Sequence, residues 1–127
     1  MPPRVPGASA RILVVDDEAD LVETYERLFR RRGYLVDAAR SRADGLSMVG
    51  HQPPDLVIID LRLPDGDGLD VVRAVRAMRP APPAVVVTAY PSGSARQAAI
   101  AAGAMGFVAK PFSATGLVGL VARLLGE

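Results

Sequence analysis

Short apolar segments alternate along the chain with longer segments in which apolar residues recur every three or four positions. The short segments are continuously apolar and rich in β-branched residues, as strands covered on both faces are, and the longer segments have the period of helices. The pattern predicts strands at residues 12–15, 34–38, 56–59, 84–87 and 106–109. It predicts helices at residues 18–32, 41–50, 69–78, 94–102 and 113–126.

These elements follow the order strand then helix five times. Parallel strands need connections of this length, and such crossovers are right-handed. The order therefore predicts an α/β fold, a single doubly wound (βα)5 domain with helices on both faces of an open parallel sheet. Ser41, Ser94 and Ser113 are predicted to cap helices, and Gly33 is predicted to end the first one.

Composition excludes several classes of function. The 127 residues fit one domain, which we expect at residues 11–127 after a flexible tail at residues 1–10. The absence of cysteine excludes disulfides, thiolate zinc sites and a cysteine nucleophile, and it fits a reducing compartment. No apolar run approaches the ~20 residues that span a bilayer, and a net charge of +1 without blocks of like charge predicts no direct nucleic-acid binding. We therefore expect a cytoplasmic protein that does not contact membranes.

Polar residues stand directly after four of the five predicted strands. Asp16 and Asp17 follow the first strand, Asp60 the third, Thr88 the fourth and Lys110 the fifth. In an open α/β sheet the binding crevice lies at the carboxyl edge of the strands. These five side chains are therefore predicted to meet in one pocket.

The predicted pocket combines three carboxylates with one lysine. Carboxylates held close together repel one another unless a cation joins them. Oxygen ligands without cysteine or histidine favour Mg²⁺, with Mn²⁺ as a substitute, over zinc. Lys110 and the Thr88 hydroxyl suit a phosphoryl group, and Asp60 can act as its nucleophilic acceptor.

Each of these residues also has an ordinary structural interpretation. Asp16 and Asp17 alone would be read as acidic residues at a helix N-terminus, Thr88 as a strand-end residue and Lys110 as a surface residue. Their placement at the same edge as Asp60 favours the functional interpretation.

The chain resembles the receiver domains of two-component response regulators from about residue 11 to residue 125. The resemblance rests on four segments in this order, Ile12-Leu-Val-Val-Asp-Asp-Glu18, Asp60-Leu-Arg-Leu-Pro-Asp-Gly-Asp-Gly68, Val87-Thr-Ala89 and Gly106-Phe-Val-Ala-Lys-Pro-Phe112. It implies the strand order 2-1-3-4-5. It also implies a phosphoacceptor signalling domain, which assists its own phosphorylation and dephosphorylation, rather than an enzyme.

The resemblance assigns roles in metal binding and phosphorylation. Asp60 is implied to be the phosphoacceptor, served by a histidine kinase or a histidine phosphotransfer protein. Asp17 is implied to bind Mg²⁺ directly and Asp16 mainly through water. Asp60 and the main-chain carbonyl of Arg62 are implied to complete the protein ligands.

The resemblance also assigns a conformational switch. Lys110 is implied to pair with the phosphoacceptor and then with the phosphoryl group. Thr88 is the implied switch hydroxyl, and Phe107 is the aromatic residue whose rotamer follows it. The bond before Pro111 is implied to be cis, and Ala89 is small, as access to the acceptor requires.

Two larger side chains are predicted to border the same site. Arg62 lies two residues after Asp60, and Tyr90 lies two residues after Thr88. We hypothesise that both restrict attacking water and lengthen the life of the phosphorylated state.

The last predicted helix has a wide apolar face. Its predicted core stripe consists of Leu117, Leu120, Val121 and Leu124, and Val118 and Leu125 widen it beyond the ~100° of an ordinary buried face. We therefore expect a homodimer or output-partner contact through the last two helices and the fifth strand.

Two other functions are kept as alternatives. One is a degenerate receiver that acts as a phosphorylation-independent protein interaction module. The other is a small phosphatase with an aspartate nucleophile, although the second aspartate expected two residues later is replaced by Arg62.

Overall fold

Five parallel strands form one sheet in a computed structural model that describes residues 9–127. The strands are β1 Arg11–Val15, β2 Leu35–Ala39, β3 Leu56–Ile59, β4 Ala84–Thr88 and β5 Gly106–Ala109. The helices are α1 Ala19–Arg30, α2 Arg42–His51, α3 Leu69–Arg76, α4 Gly93–Ala102 and α5 Ala114–Leu124. The sheet order is β2-β1-β3-β4-β5, so the predicted order is confirmed.

Most of the predicted flexible tail, residues 1–8, lies outside the described residues. Ala10 is buried, and its carbonyl accepts a hydrogen bond from the Leu35 amide. Within residues 9–127 no helix is long and apolar enough to cross a membrane.

The two faces of the sheet carry separate apolar layers. Successive strand residues point to opposite faces, so Val14 of β1 packs with α1 and α5 while its neighbour Val15 packs with α2, α3 and α4. β1 and β3 are buried along nearly their whole length because helices cover both sides. This double covering leaves the strand ends as the place where polar groups from several strands meet.

The predicted caps are right for two helices and wrong for one. The side chains of Ser41 and Ser113 accept hydrogen bonds from backbone amides of the helices they precede. At α4 the cap is Ser92, not Ser94, because Ser92 has the extended backbone of a capping residue and its Oγ accepts from the Ala95 amide. Ser94 lies inside the first turn.

A short antiparallel ribbon lies between β3 and α3. Residues Arg62–Leu63 pair with Gly66–Asp67, and the turn between them contains Pro64 and Asp65. The ribbon brings residues 62–67 back beside the carboxyl end of β3.

The apolar surplus predicted for α5 is smaller than expected. Val118 is only 6% exposed and belongs to the apolar layer that α1 and α5 form on one face of the sheet; Leu125 packs partly against the same layer. The exposed apolar side chains nearby are instead Ile100 of α4 and Met105, which precedes β5.

Candidate functional site

The carboxyl edge of the sheet gathers the acidic residues that the sequence pattern singled out. Asp16 and Asp60 follow β1 and β3, which are hydrogen-bonded neighbours, and both carboxylates are buried; Asp17 is exposed beside them. Thr88, the last residue of β4, is buried in the same rim. Strand register therefore brings together residues that are up to 72 positions apart, from Asp16 to Thr88.

Lys110 joins Asp16 and Asp60 through a single ammonium group, which also contacts Glu18. Its Nζ donates to Asp16 Oδ2 at 3.0 Å, to Asp60 Oδ2 at 3.0 Å and to Glu18 Oε1 at 2.9 Å. Burial lowers the pKa of Lys110, but the hydrogen bonds to Glu18, Asp16 and Asp60 together outweigh burial and raise its pKa above the usual value. Lys110 is therefore charged at neutral pH, and it is the only lysine in the chain.

Glu18 is the site residue that the strand-end pattern missed. It is 58% exposed on its side chain and occupies the cap position of α1 rather than the end of a strand. The signal available was its position directly after Asp16 and Asp17. Its contact with Lys110 places a third carboxylate on the same ammonium group.

The three aspartates fit a hard divalent cation. One carboxylate oxygen from each of Asp16, Asp17 and Asp60 lies within 4.8 Å of the others. The Asp16 and Asp60 oxygens that do not contact Lys110 accept backbone hydrogen bonds, Asp16 Oδ1 from the Glu18 amide at 3.0 Å and Asp60 Oδ1 from the Arg62 amide at 3.2 Å, and these bonds orient both carboxylates. Burial raises the pKa of Asp16, and a cation bound nearby would oppose this shift by favouring the charged carboxylate. An all-oxygen donor set of this charge suits Mg²⁺ or Mn²⁺.

The Thr88 hydroxyl accepts a hydrogen bond and donates none to the other described residues. Its Oγ1 accepts a hydrogen bond from the Tyr90 amide at 3.1 Å, which leaves the hydroxyl hydrogen available. Phe107 of β5 pairs with Val86 of β4, two residues before Thr88. The Phe107 side chain is partly buried on the face of the sheet that α2, α3 and α4 cover. Ala89 lines a groove of about 520 Å³ whose other lining residues include Lys110.

Arg62 and Tyr90 contact each other beside the site. The guanidinium carbon of Arg62 lies 3.7 Å from the centroid of the Tyr90 ring, which is a cation–π contact. The ring is among the most exposed large apolar groups of the described residues. The pair therefore links the segment after β3 to the segment after β4.

An aromatic stack lies below Lys110. The Lys110–Pro111 peptide bond is cis, and the following Phe112 ring stacks on Tyr25 with the ring centroids 5.5 Å apart. The Tyr25 hydroxyl is buried and has no hydrogen-bond partner among the described residues. Burial, followed by the nearby Asp16 charge, raises the pKa of Tyr25.

Comparison with known proteins decides the family. Residues 12–122 match the model of the response regulator receiver domain. The chain belongs to the response regulator receiver domain family. A receiver domain protein (CheY-like) from Methanospirillum hungatei JF-1 superposes with a TM-score of 0.90 at 27% identity, over 94% of this chain and 96% of that one.

Curated relatives of this receiver domain are longer regulators. The acid tolerance regulatory protein ActR of Rhizobium meliloti (strain 1021) is 34% identical over 95% of this chain and 62% of its own length. The transcriptional regulatory protein PrrA of Mycobacterium tuberculosis (strain ATCC 25618 / H37Rv) is 38% identical over 92% of this chain and 50% of its own. The receiver domain therefore spans between half and about three fifths of the length of these two regulators.

Proposed function

We propose that this receiver domain accepts a phosphoryl group on Asp60 from a histidine kinase or a histidine phosphotransfer protein, in a Mg²⁺-dependent reaction. The observation that carries the proposal is the placement of Asp60 Oδ2, 3.0 Å from Lys110 Nζ within the cluster of three aspartates. The phosphorylated form would then control an output or bind a partner. We expect the exchange to occur in the cytoplasm, since a chain without cysteine fits a reducing compartment.

Asp17 would hold the metal directly and Asp16 mainly through water, with Asp60 and the Arg62 carbonyl as further ligands. When bound, Mg²⁺ supplies positive charge that offsets the charge of the carboxylates and of the incoming phosphoryl oxygens. The Asp60 oxygen forms the new P–O bond as the P–N bond to the donor histidine breaks. The nucleophile is oriented beforehand by the Arg62 amide and Lys110.

Lys110 and Thr88 would act after the phosphoryl group has been transferred to Asp60. Lys110 is already hydrogen-bonded to Asp60, so its ammonium group would form a hydrogen bond to an oxygen of the new phosphoryl group. Thr88 would donate its free hydroxyl proton to the same group. A shift of the Thr88 segment would change the space beside β5 that the Phe107 ring occupies, which is how a local charge change would reach the α4–β5 surface.

The proposal is tested by incubating the protein with acetyl phosphate and Mg²⁺ and weighing it intact. We expect a gain of one phosphoryl group, and loss of that gain in Asp60→Asn. Asp44→Asn is the matched control, because Asp44 is an exposed aspartate on α2. No gain in the unmodified protein would favour the interaction module, and release of many phosphates per chain would favour the phosphatase.

Loss of the phosphoryl group is expected to be severalfold faster in Arg62→Ala and in Tyr90→Ala. Each substitution removes one half of the cation–π pair that borders Asp60 and so opens the site to attacking water. The decay of the phosphorylated mass after removal of acetyl phosphate measures the rate. Arg96→Ala, on the exposed face of α4, is expected to leave the decay rate unchanged. Equal decay rates in the unmodified protein and all three variants would contradict this prediction.

The partner surface is proposed at α4, β5 and α5. Ile100 and Met105 are exposed there, and β5 is an edge strand of the sheet. Sedimentation of the phosphorylated and unphosphorylated samples tests homodimerisation through this face. A monomer under both conditions would leave an output partner as the occupant of the surface.

A further inference from the structure

The turn of the ribbon after β3 is anchored to the start of α2. Asp65 Oδ1 accepts a hydrogen bond from the Arg42 amide at 2.7 Å, and Asp65 Oδ2 accepts one from the Ala43 amide at 2.9 Å. The two partners lie 23 and 22 positions earlier in the chain. One exposed carboxylate therefore joins the ribbon to α2, although β3 separates the two elements in the sequence.

This carboxylate completes the cap of α2. The first amides of a helix have no partner within the helix. The Ser41 Oγ accepts a hydrogen bond from one of them, the Asp44 amide. The amides of Arg42 and Ala43 come before it, and these are the two that Asp65 accepts. These backbone hydrogen bonds, first from Ala43 and then from Arg42, hold the pKa of Asp65 below its usual value, so the carboxylate stays charged.

A second contact, made by the Arg42 side chain, joins the start of α2 to α3. The Arg42 Nε donates to Asp70 Oδ2 of α3 at 2.7 Å, which lays the Arg42 side chain across the ribbon. A Cβ added at Gly66 would come within 2.8 Å of Arg42 Cδ. The backbone φ of +150° at Gly66 also favours glycine there. The ribbon, α2 and α3 thus meet closely at one point.

The other end of the ribbon reaches the site. Arg62 pairs with Asp67 across the ribbon, and the Arg62 amide donates to Asp60 Oδ1. Each ribbon strand has two residues, so few cross-strand hydrogen bonds are available to hold its shape, and an anchored tip limits how far the Arg62 main chain can move.

We propose that Asp65 is a positioning residue, which holds the Arg62 main chain in the orientation that the metal site and Asp60 require. The assignment of the Arg62 carbonyl to the metal rests on the proposed function. The contact of the Arg62 amide with Asp60 does not.

The test compares Asp65→Ala with Asp44→Ala in the full chain. Both substitutions remove a carboxylate near the first turn of α2, but among the described residues Asp44 accepts no hydrogen bond from the ribbon. We expect the dissociation constant for Mn²⁺, measured by calorimetry, to rise about tenfold in Asp65→Ala and to stay near that of the unmodified protein in Asp44→Ala. Asp65→Asn keeps one acceptor oxygen and should give an intermediate value.

A second measurement separates positioning from capping. Without metal, hydrogen exchange at the Arg62 amide should accelerate in Asp65→Ala and not in Asp44→Ala. Unchanged Mn²⁺ affinity and unchanged Arg62 exchange, with α2 alone loosened, would overturn the proposal. If the unmodified protein binds no Mn²⁺, the proposed metal site fails, and Arg62 exchange alone decides the role of Asp65. If Asp65→Ala does not fold, Asp65→Asn supplies both measurements.

Discussion

Replacing Lys110 with methionine is expected to destabilise the metal-free protein by about 3 kcal/mol, because removal of one partner leaves the buried charges of the others uncompensated. The Lys110 side chain is 11% exposed, and the Asp16 and Asp60 side chains that it joins are still less exposed. Methionine keeps an unbranched apolar stem and removes the charge. Urea unfolding near neutral pH in the presence of EDTA measures the loss.

A second cation at the same rim is the control for this result. Arg40 donates to the main-chain oxygen of Asp17 at 3.1 Å and is exposed, so Arg40→Met is expected to change stability by no more than about 0.5 kcal/mol. Excess Mg²⁺ should restore more stability to Lys110→Met than it adds to the unmodified protein, since a divalent cation can replace the lost charge. Equal urea midpoints for both variants in EDTA would show that Lys110 does not neutralise the cluster.

The convergence of the site was predictable because it depends on the sheet rather than on side-chain detail. Continuous apolar runs such as Leu56–Ile59 mark strands covered on both faces. Once such strands are parallel neighbours, the residues that follow them lie at one edge whatever the intervening sequence. Asp16 and Asp60 follow adjacent strands for this reason, and their common contact with Lys110 agrees with the predicted pocket.

Contacts that depend on loop shape were not predictable in the same way. Asp65 reaches α2 only because the ribbon folds back, and the pattern of apolar residues carries no information about a two-residue pairing. Glu18 belongs to a helix cap, where an acidic residue is common without any functional contact. The burial of Val118 depends on how closely α5 packs against α1 and the sheet, and helical periodicity does not specify this packing.

Cap and boundary errors have a local cause. Ser92 and Ser94 are both good capping residues, and the choice between them depends on which serine has an extended backbone. Similarly, α1 ends at Arg30, two residues before the predicted end. Gly33, which follows the helix, adopts a left-handed backbone conformation. Apolar spacing constrains the interior of a helix much more than its last turn.

Gly68→Ala is expected to destabilise the protein by about 3 kcal/mol and to disturb the site, because overpacking forces backbone shifts. Gly68 precedes α3 with φ −61° and ψ −20°, a conformation open to any residue, so the constraint is steric. An added Cβ would overlap the carbonyl oxygen of Asp60 and lie 2.9 Å from Ile59 Cγ2. The Asp60 backbone would have to move, although its amide is hydrogen-bonded to the Val15 carbonyl at 2.9 Å.

Gly119→Ala is the matched substitution with the opposite expectation. Gly119 lies within α5, and a Cβ added there meets nothing within 4 Å. Alanine should therefore stabilise this helix by about 1 kcal/mol. Urea midpoints give both values, and backbone amide shifts near Asp60 should change in Gly68→Ala alone. If Gly68→Ala is as stable as the unmodified protein with those shifts unmoved, the close approach of Gly68 to Asp60 does not constrain the site.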